Sequence, residues 1–377
     1  MIYLDNAATT APSDLAINTF VGVSRNTWGN PSSTMYDPGV QARNHVREAR
    51  EMIADVLGCD ESNIIFTSGS TEGANMVMKG FIPRGYEATS KILLTKMEHP
   101  CIYNTAMYLQ SCGVDITFIK TSREGGIIYD SLEEELDRAK DYRRVLVCCM
   151  AVNNELGTNM RPDLVGDIVH DYPNAALMVD ITQAISDPAP LPSAADYMIA
   201  SAHKFGGLKG VGFVYAKDPK SLVPLIHGGH QESGFRAGTE NVAAIYSMAR
   251  QFESYRQAVE ASDTQAVAVR HYLCGALTAI GGRINGRANP ACNIVSATFV
   301  GADAQKIISF LAMKEIYISA GAACSTNGSE YSRVLKATGM SEEEMRGTIR
   351  ISFSACTSKY EIDEFITALK ECLEWSK

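Results

Sequence analysis

No apolar run in this chain reaches the roughly 18 residues a membrane span requires, so no spanning helix is expected. There is no run of lysine or arginine, and the balance is acidic, with 34 Lys+Arg against 43 Asp+Glu for a net charge of −9. A nucleic-acid surface is therefore not expected as the main feature. Ten cysteines are present but no C-x-x-C pair, which leaves neither a zinc pattern nor a small disulfide framework. The expectation is a reducing cytoplasm in which most thiols are small core residues. That reading covers Cys59, Cys101, Cys112, Cys274, Cys292, Cys356 and Cys372, and applies with most force to Cys148 and Cys149 inside an apolar run. The start, Met-Ile-Tyr-Leu-Asp-Asn, has no basic n-region and no long h-region, so a secretory signal is not expected and the sequon Asn327-Gly-Ser329 carries no meaning. Also missing are the G-x-x-x-x-G-K-[ST] spacing of a Walker loop, a dinucleotide fingerprint opening a helix, and any internal repeat.

What is present is an alternation of elements over 377 residues, too long for one small core. Helical spacing at 39–57, 74–79, 131–139 and 162–170 is interleaved with strand candidates at 64–67, 92–95, 116–119, 145–150, 177–180, 197–200 and 211–215. Such alternation predicts an α/β fold, with a mainly parallel sheet between helices in a large domain. After Thr239 the texture changes. Long helical stretches at 241–261 and 271–280 lead to strand candidates at 294–299, 316–318 and 349–353, with a last helix near 361–374. The expected division is a large domain of residues 15–255 and a smaller α/β domain made of 1–14 and 256–377.

The chemistry concentrates in a few short stretches. Lys204 lies in Ser201-Ala-His203-Lys204-Phe-Gly-Gly at the end of an apolar run, where a solvated surface charge is a poor explanation. A lysine amine forms a Schiff base with an aldehyde cofactor, and an acid can hold that cofactor's ring nitrogen protonated. Asp180 ends a strand, where it suits either a helix N-cap or a pyridinium partner, and Gln183 lies within reach of a ring oxygen. Thr67-Ser-Gly69-Ser70-Thr71-Glu72-Gly73 joins a strand to a helix, and reads as a phosphate cradle or as an ordinary capped start with Glu72 as capping-box partner. His99 follows another strand and could stack on a flat ring and move protons. Asn153-Asn154-Glu155 follows a third strand and reads as a functional loop. Arg350 alternates with apolar neighbours, so it faces either a substrate carboxylate or a structural acid. Cys324 alone among the cysteines sits among Gly, Ala, Ser, Thr and Asn, the surroundings of a reactive thiol. Together these point to pyridoxal 5'-phosphate chemistry with an added cysteine nucleophile.

In these residues the chain resembles the cysteine desulfurases of the class V aminotransferase group, the NifS/IscS type. The similar motifs, in order, are Tyr3–Thr10, Gly29–Ser33, Thr67–Glu72, Glu98-His99, Val152–Glu155, Asp180-x-x-Gln183, Ser201-x-His203-Lys204, Arg236-Ala-Gly-Thr239 and Gly321-Ala-Ala-Cys324. The resemblance implies a fold-type I homodimer that takes L-cysteine, leaves L-alanine and carries a persulfide on Cys324 to a sulfur-acceptor protein, as in iron–sulfur cluster assembly. It also implies individual roles. Lys204 would attach the cofactor, Asp180 would face its ring nitrogen, Gln183 its phenolate, and His99 would stack on the ring. Ser70, Thr71, Ser201 and His203 would bind its phosphate, joined by Thr239 from the second subunit. Asn154 and Arg350 would hold the substrate carboxylate. The chain departs from the family pattern at Tyr36, His230, Ser233 and Tyr331. Two other readings stay open: a selenocysteine lyase or other class V enzyme, and a non-catalytic sulfur-assembly subunit.

Overall fold

Short apolar runs bounded by turn residues form the strands of a seven-stranded sheet. Its spatial order is Ile64–Thr67, Gly212–Ala216, Tyr197–Ser201, Ala175–Asp180, Arg144–Met150, Ser90–Thr95 and Asp115–Ile119. Only Gly212–Ala216 runs antiparallel to its neighbours. This is a computed structural model, and it describes residues 1–377 except 262, 288–289, 292, 322–330, 355 and 376–377; for 263 and 264 only the backbone is described.

Both faces of the large sheet are covered, which is why its strands read as continuous apolar runs. Val147 and Cys149 point into one core with Phe66, Val179 and Phe213. Leu146 and Cys148 point into the other with Ile65, Met178 and Val214. A second sheet, Ser319–Ala320, Thr348–Ser352, Ile294–Thr298 and Arg283–Ile284, is wholly antiparallel. Its core gathers Val295, Ala297, Ile349 and Ile351 with Leu4 from the other end of the chain. Leu4 arrives there because Ile2–Tyr3 pairs in parallel with Ile316–Tyr317. No described helix is long and apolar enough to cross a membrane.

The six mutually parallel strands align their carboxyl ends on one edge, the usual place for a ligand crevice in such sheets. Thr67, Thr95, Met150, Asp180 and Ser201 all end there. At this edge the backbone leaves no room for a side chain on Gly212: a Cβ would stand 2.3 Å from Ala200 O and 2.6 Å from Gly69 Cα.

Several expectations need correction. Helices at Asp14–Asn26 and Pro100–Ser111 were not legible from apolar spacing. The first buries little beyond Ala16 and Val23 and leaves Ile17 and Val21 exposed, so its stripe is diluted; its real signal is the Ser13 cap on Ala16 N at 3.0 Å. The helix expected at 74–79 runs Ser70–Phe81, and that expected at 271–280 runs Asp263–Ala279. Among the cysteines given a core reading, Cys101, Cys148, Cys149 and Cys372 are buried. Cys59 and Cys274 are half-buried, Cys112 and Cys356 are exposed, and Cys292 lies outside the described residues.

Gly212→Ala is expected to lower the urea midpoint by the equivalent of about 1–3 kcal/mol, the usual cost of overpacking a tight core. An unchanged midpoint would show that the strand crossing at Gly69 is looser than described.

Candidate active site

The Tyr197–Ser201 strand ends in a single turn, Ala202–Lys204. The Lys204 amine donates to two backbone carbonyls of the N-terminal segment, Ala7 O at 2.8 Å and Ala8 O at 2.8 Å. The segment is held in turn: Thr10 N donates to His203 O at 2.8 Å, Thr10 Oγ1 to Lys204 O at 3.0 Å, and Ser13 N to Gly206 O at 2.9 Å. Burial and the nearby Arg350 cation push the Lys204 pKa down to about 8, against the pull of Asp180 and Asp5.

Asp180 closes the Ala175–Asp180 strand, buried, with Oδ1 accepting from Thr182 N at 2.9 Å. It therefore does cap the turn that follows, while Oδ2 accepts no hydrogen bond from a described residue. Gln183 Nε2 donates to Ala7 O at 2.9 Å, the same carbonyl that receives Lys204. His99 caps the Pro100–Ser111 helix with its ring. Burial lowers its pKa, Lys204 and Arg333 lower it further, and Asp180 opposes them.

The cradle loop is shaped by Gly69, whose φ of +148° a side chain rarely adopts. A Cβ there would also approach Ser201 Oγ to 3.0 Å. Gly69 is the N-cap of the Ser70–Phe81 helix, so neither Ser70 nor Thr71 fills that role. Ser70 N donates to Ser201 Oγ at 2.7 Å, and Ser201 Oγ donates to Ser70 Oγ at 2.9 Å. Thr71 is exposed on the first turn. Glu72 accepts from Ser68 N at 2.9 Å and pairs with Arg236 at 2.9 Å. His203 Nδ1 lies 3.1 Å from Thr9 Oγ1; burial, Lys204 and Lys209 push its pKa down to about 4, so it is neutral at physiological pH. Thr239 lines a cavity of about 270 Å³ with Thr67, Ser68, Gly210 and Arg236.

Arg350 is buried in the Thr348–Ser352 strand. It donates to Asn154 O at 2.9 Å and to Asp5 Oδ1 at 2.7 Å, while Nε has no partner. The structural acid is thus Asp5, and Asn154 meets Arg350 through its backbone. Asn153 organises that loop: its Oδ1 accepts from Glu155 N and Leu156 N at 2.9 and 2.8 Å. Cys324 lies outside the described residues.

Sequence reasoning missed the roles of Glu98, Glu155, Ser332, Arg333 and Asp5. Glu98 is fully buried, with one oxygen receiving Thr95 Oγ1 at 2.6 Å and the other unpartnered. Burial outweighs the help from Thr95, and with Asp180 nearby the pKa rises to about 8. Ser332 donates to Glu155, and Arg333 donates to the carbonyls of Lys96 and Glu98 while lying over the Tyr103 ring at 3.7 Å. A buried acid beside His99 was visible in the motif, but nothing in the sequence showed what Arg333 would reach.

The family described as aminotransferase class-V matches residues 2–365. The chain belongs to that family. Among curated relatives, "Cysteine desulfurase IscS" of Dictyoglomus turgidum is 32% identical, covering 99% of this chain and 94% of its own. A solved structure named "NIFS-LIKE PROTEIN" is 31% identical with a TM-score of 0.91, covering 99% of each chain. Another, "SspA in complex with cysteine", is 28% identical with a TM-score of 0.81, covering 95% of this chain and 100% of its own. The family's fold-type I enzymes depend on pyridoxal 5'-phosphate.

The residues of this chain fit that cofactor chemically. An aldehyde calls for an amine that can lose its proton, and Lys204 is depressed to about 8. A pyridine nitrogen calls for a buried carboxylate with a free oxygen, and Asp180 Oδ2 is one. A phosphate calls for hydroxyls at a helix start, and the Ser70–Ser201 pair stands at one.

Two measurements test these electrostatics. Covalent capture of pyridoxal phosphate by the apoprotein, fixed by borohydride and read by mass, should accelerate as pH rises through about 8, where Lys204 loses its proton. A rate flat across that window would contradict the depressed amine. Glu98 is protonated when folded up to about pH 8 but ionises when unfolded above its ordinary value of about 4.3, so the unfolded state binds fewer protons between them. Wild-type stability should therefore fall as pH rises through that window, and Glu98→Gln should flatten the fall; identical profiles would show Glu98 to be ionised in the fold.

Proposed function

We propose that the chain is a cysteine desulfurase that moves sulfur from L-cysteine to Cys324 and thence to an acceptor protein. The observation that carries the reading is the meeting, at one sheet edge, of a depressed lysine amine, a buried carboxylate with a free oxygen, and hydroxyls at a helix start. The similarity to named cysteine desulfurases supports the choice of substrate.

In this reading Lys204, Asp180, Gln183, His99, Ser70, Thr71, Ser201 and His203 hold pyridoxal phosphate, with Thr239 contributed across a homodimer. When bound, the cofactor supplies an electron sink for the substrate's Cα and Cβ. Asp180 keeps the ring nitrogen protonated. Lys204 would attach the cofactor and, as a free amine, would carry a proton; its depression to about 8 suits both directions of transfer. Asn154 and Arg350 orient the substrate carboxylate, with Asp5 fixing the guanidinium plane. The Cys324 thiolate attacks the substrate Sγ, the Sγ–Cβ bond breaks with its electrons going to carbon, and Cβ takes a proton. L-Alanine and one persulfide result, so atoms balance without an outside oxidant. Residues 15–255 form the cofactor-holding unit in this scheme, and 1–14 with 256–377 the unit that carries the cysteine. Cys59, Cys101, Cys112, Cys148, Cys149, Cys274 and Cys356 are unbridged, which supports a reducing, cytoplasmic setting.

The test is mass spectrometry after a single turnover without reductant, which should place one extra sulfur on the Cys324 peptide. Cys324→Ser should still load cofactor and bind cysteine yet release almost no sulfide. Lys204→Ala should lose turnover. Sulfur mapped elsewhere would overturn the assignment, and turnover of selenocysteine with none of cysteine would favour the lyase instead.

A further inference from the structure

The imidazole of His99 does two things with one nitrogen. Pro100 occupies the first position of the Pro100–Ser111 helix and has no N–H, so the Cys101 amide is the first free donor of that helix. That amide donates to His99 Nδ1 at 3.2 Å. The Cys101 thiol also touches Nδ1, at 3.1 Å. Burial, Asp180 and Glu98 hold the thiol well above its ordinary range, so it keeps its proton and is a second donor. With two donors aimed at it, Nδ1 must present its lone pair. A proton on Nδ1 would face the amide hydrogen and orphan the helix start. The other nitrogen, Nε2, has no hydrogen-bond partner among the described residues.

We propose that the Cys101 amide locks His99 as the neutral tautomer with its proton on Nε2, so that His99 works in the site as a hydrogen-bond donor and not as a base. The charges around it agree. Lys204 and Arg333 oppose an imidazolium, and Asp180 alone favours one, because Glu98 is itself protonated at neutral pH. A helix N-terminus that keeps a catalytic imidazole neutral is a known route to a donor of this kind. Proton transfer then falls to Lys204. The tautomer follows from geometry alone, while the role assigned to it rests on the cysteine-desulfurase reading.

The experiment is two-bond ¹H–¹⁵N correlation on cofactor-loaded enzyme carrying ring-¹⁵N histidine, with His99 identified by its loss in His99→Asn. The expected pattern at neutral pH is Nε2–H with Nδ1 bare. An Nδ1–H pattern, or an imidazolium at neutral pH, overturns the lock. Cys101→Ala keeps the amide and should keep the pattern; a change of tautomer there overturns the amide as its cause. Two further variants separate donor from cap. Asn supplies a good cap at the place of Nδ1 but nothing at Nε2, whereas Gln supplies an N–H near Nε2. Sulfide release should fall roughly 10²–10³-fold in His99→Asn, the cost of losing one aimed donor, and within about 10-fold in His99→Gln. Equal losses overturn the donor role. If the spectrum is as expected but no cysteine is turned over by wild type, the lock stands and the desulfurase reading fails.

Discussion

The carbonyl oxygens of Ala7 and Ala8 hold the Lys204 amine, and much of the site depends on how they are held themselves. The same Ala7 carbonyl takes Gln183. Upstream, Ile2–Tyr3 pairs with Ile316–Tyr317, and Asp5 grips Arg350. Downstream, Thr10 and Ser13 are tied to His203 and Gly206. The N-terminal strap from Ile2 to Ser13 therefore joins the antiparallel sheet to the turn that carries the lysine. It makes the amine's position a consequence of how the two sheets pack, and places Arg350 close enough to depress it.

Around this strap three buried or half-buried titratable groups are neutral at physiological pH. Glu98 keeps its proton, and His99 and His203 lack theirs, each because burial penalises the ion more than neighbours repay it. Asp180 and Asp5 are the carboxylates that pull on Lys204, the site's titrating base. Low dielectric makes such an arrangement effective, since every remaining charge acts at short range with little screening. Arg333 also reaches the strand-end loop bearing His99, tying the Ser332–Arg333 segment to the 96–98 carbonyls. Gly321 is bound to Thr348 O at 2.9 Å, and Ser332 and Arg333 to Glu155 and to the 96–98 carbonyls.

Three of the departures from the family pattern, Tyr36, His230 and Ser233, fall away from this centre. Tyr36 caps a helix with its backbone and is exposed. His230 and Ser233 flank Glu232, whose carboxylate takes both Arg50 nitrogens and Phe66 N while its own backbone stands at φ +49°. An interaction that strong holds Glu232 and Ser233 in left-handed conformations, and none of these residues reaches Lys204 or Asp180.

The alternation of buried runs and helical spacing was enough to read the parallel sheet, because strands covered on both faces are apolar throughout and cannot be mistaken for a solvated loop. Val145–Met150 and Ala175–Asp180 are such strands. Lys204, Asp180, Ser70 and His99 were legible for a similar reason: each is a polar residue at the end of an apolar run, and strand ends share one edge. What the sequence could not determine was who meets whom across long separations. Arg350 had two candidate partners and the fold supplied Asp5, 345 residues away. Lys204 had no visible partner and the fold supplied two backbone carbonyls, which no side-chain pattern can announce. Glu98 read as half of a motif, and only its complete burial made it a neutral acid. Local spacing decides which elements form; desolvation and contact are properties of the packed chain, and they set the protonation of Lys204, Glu98, His99 and His203.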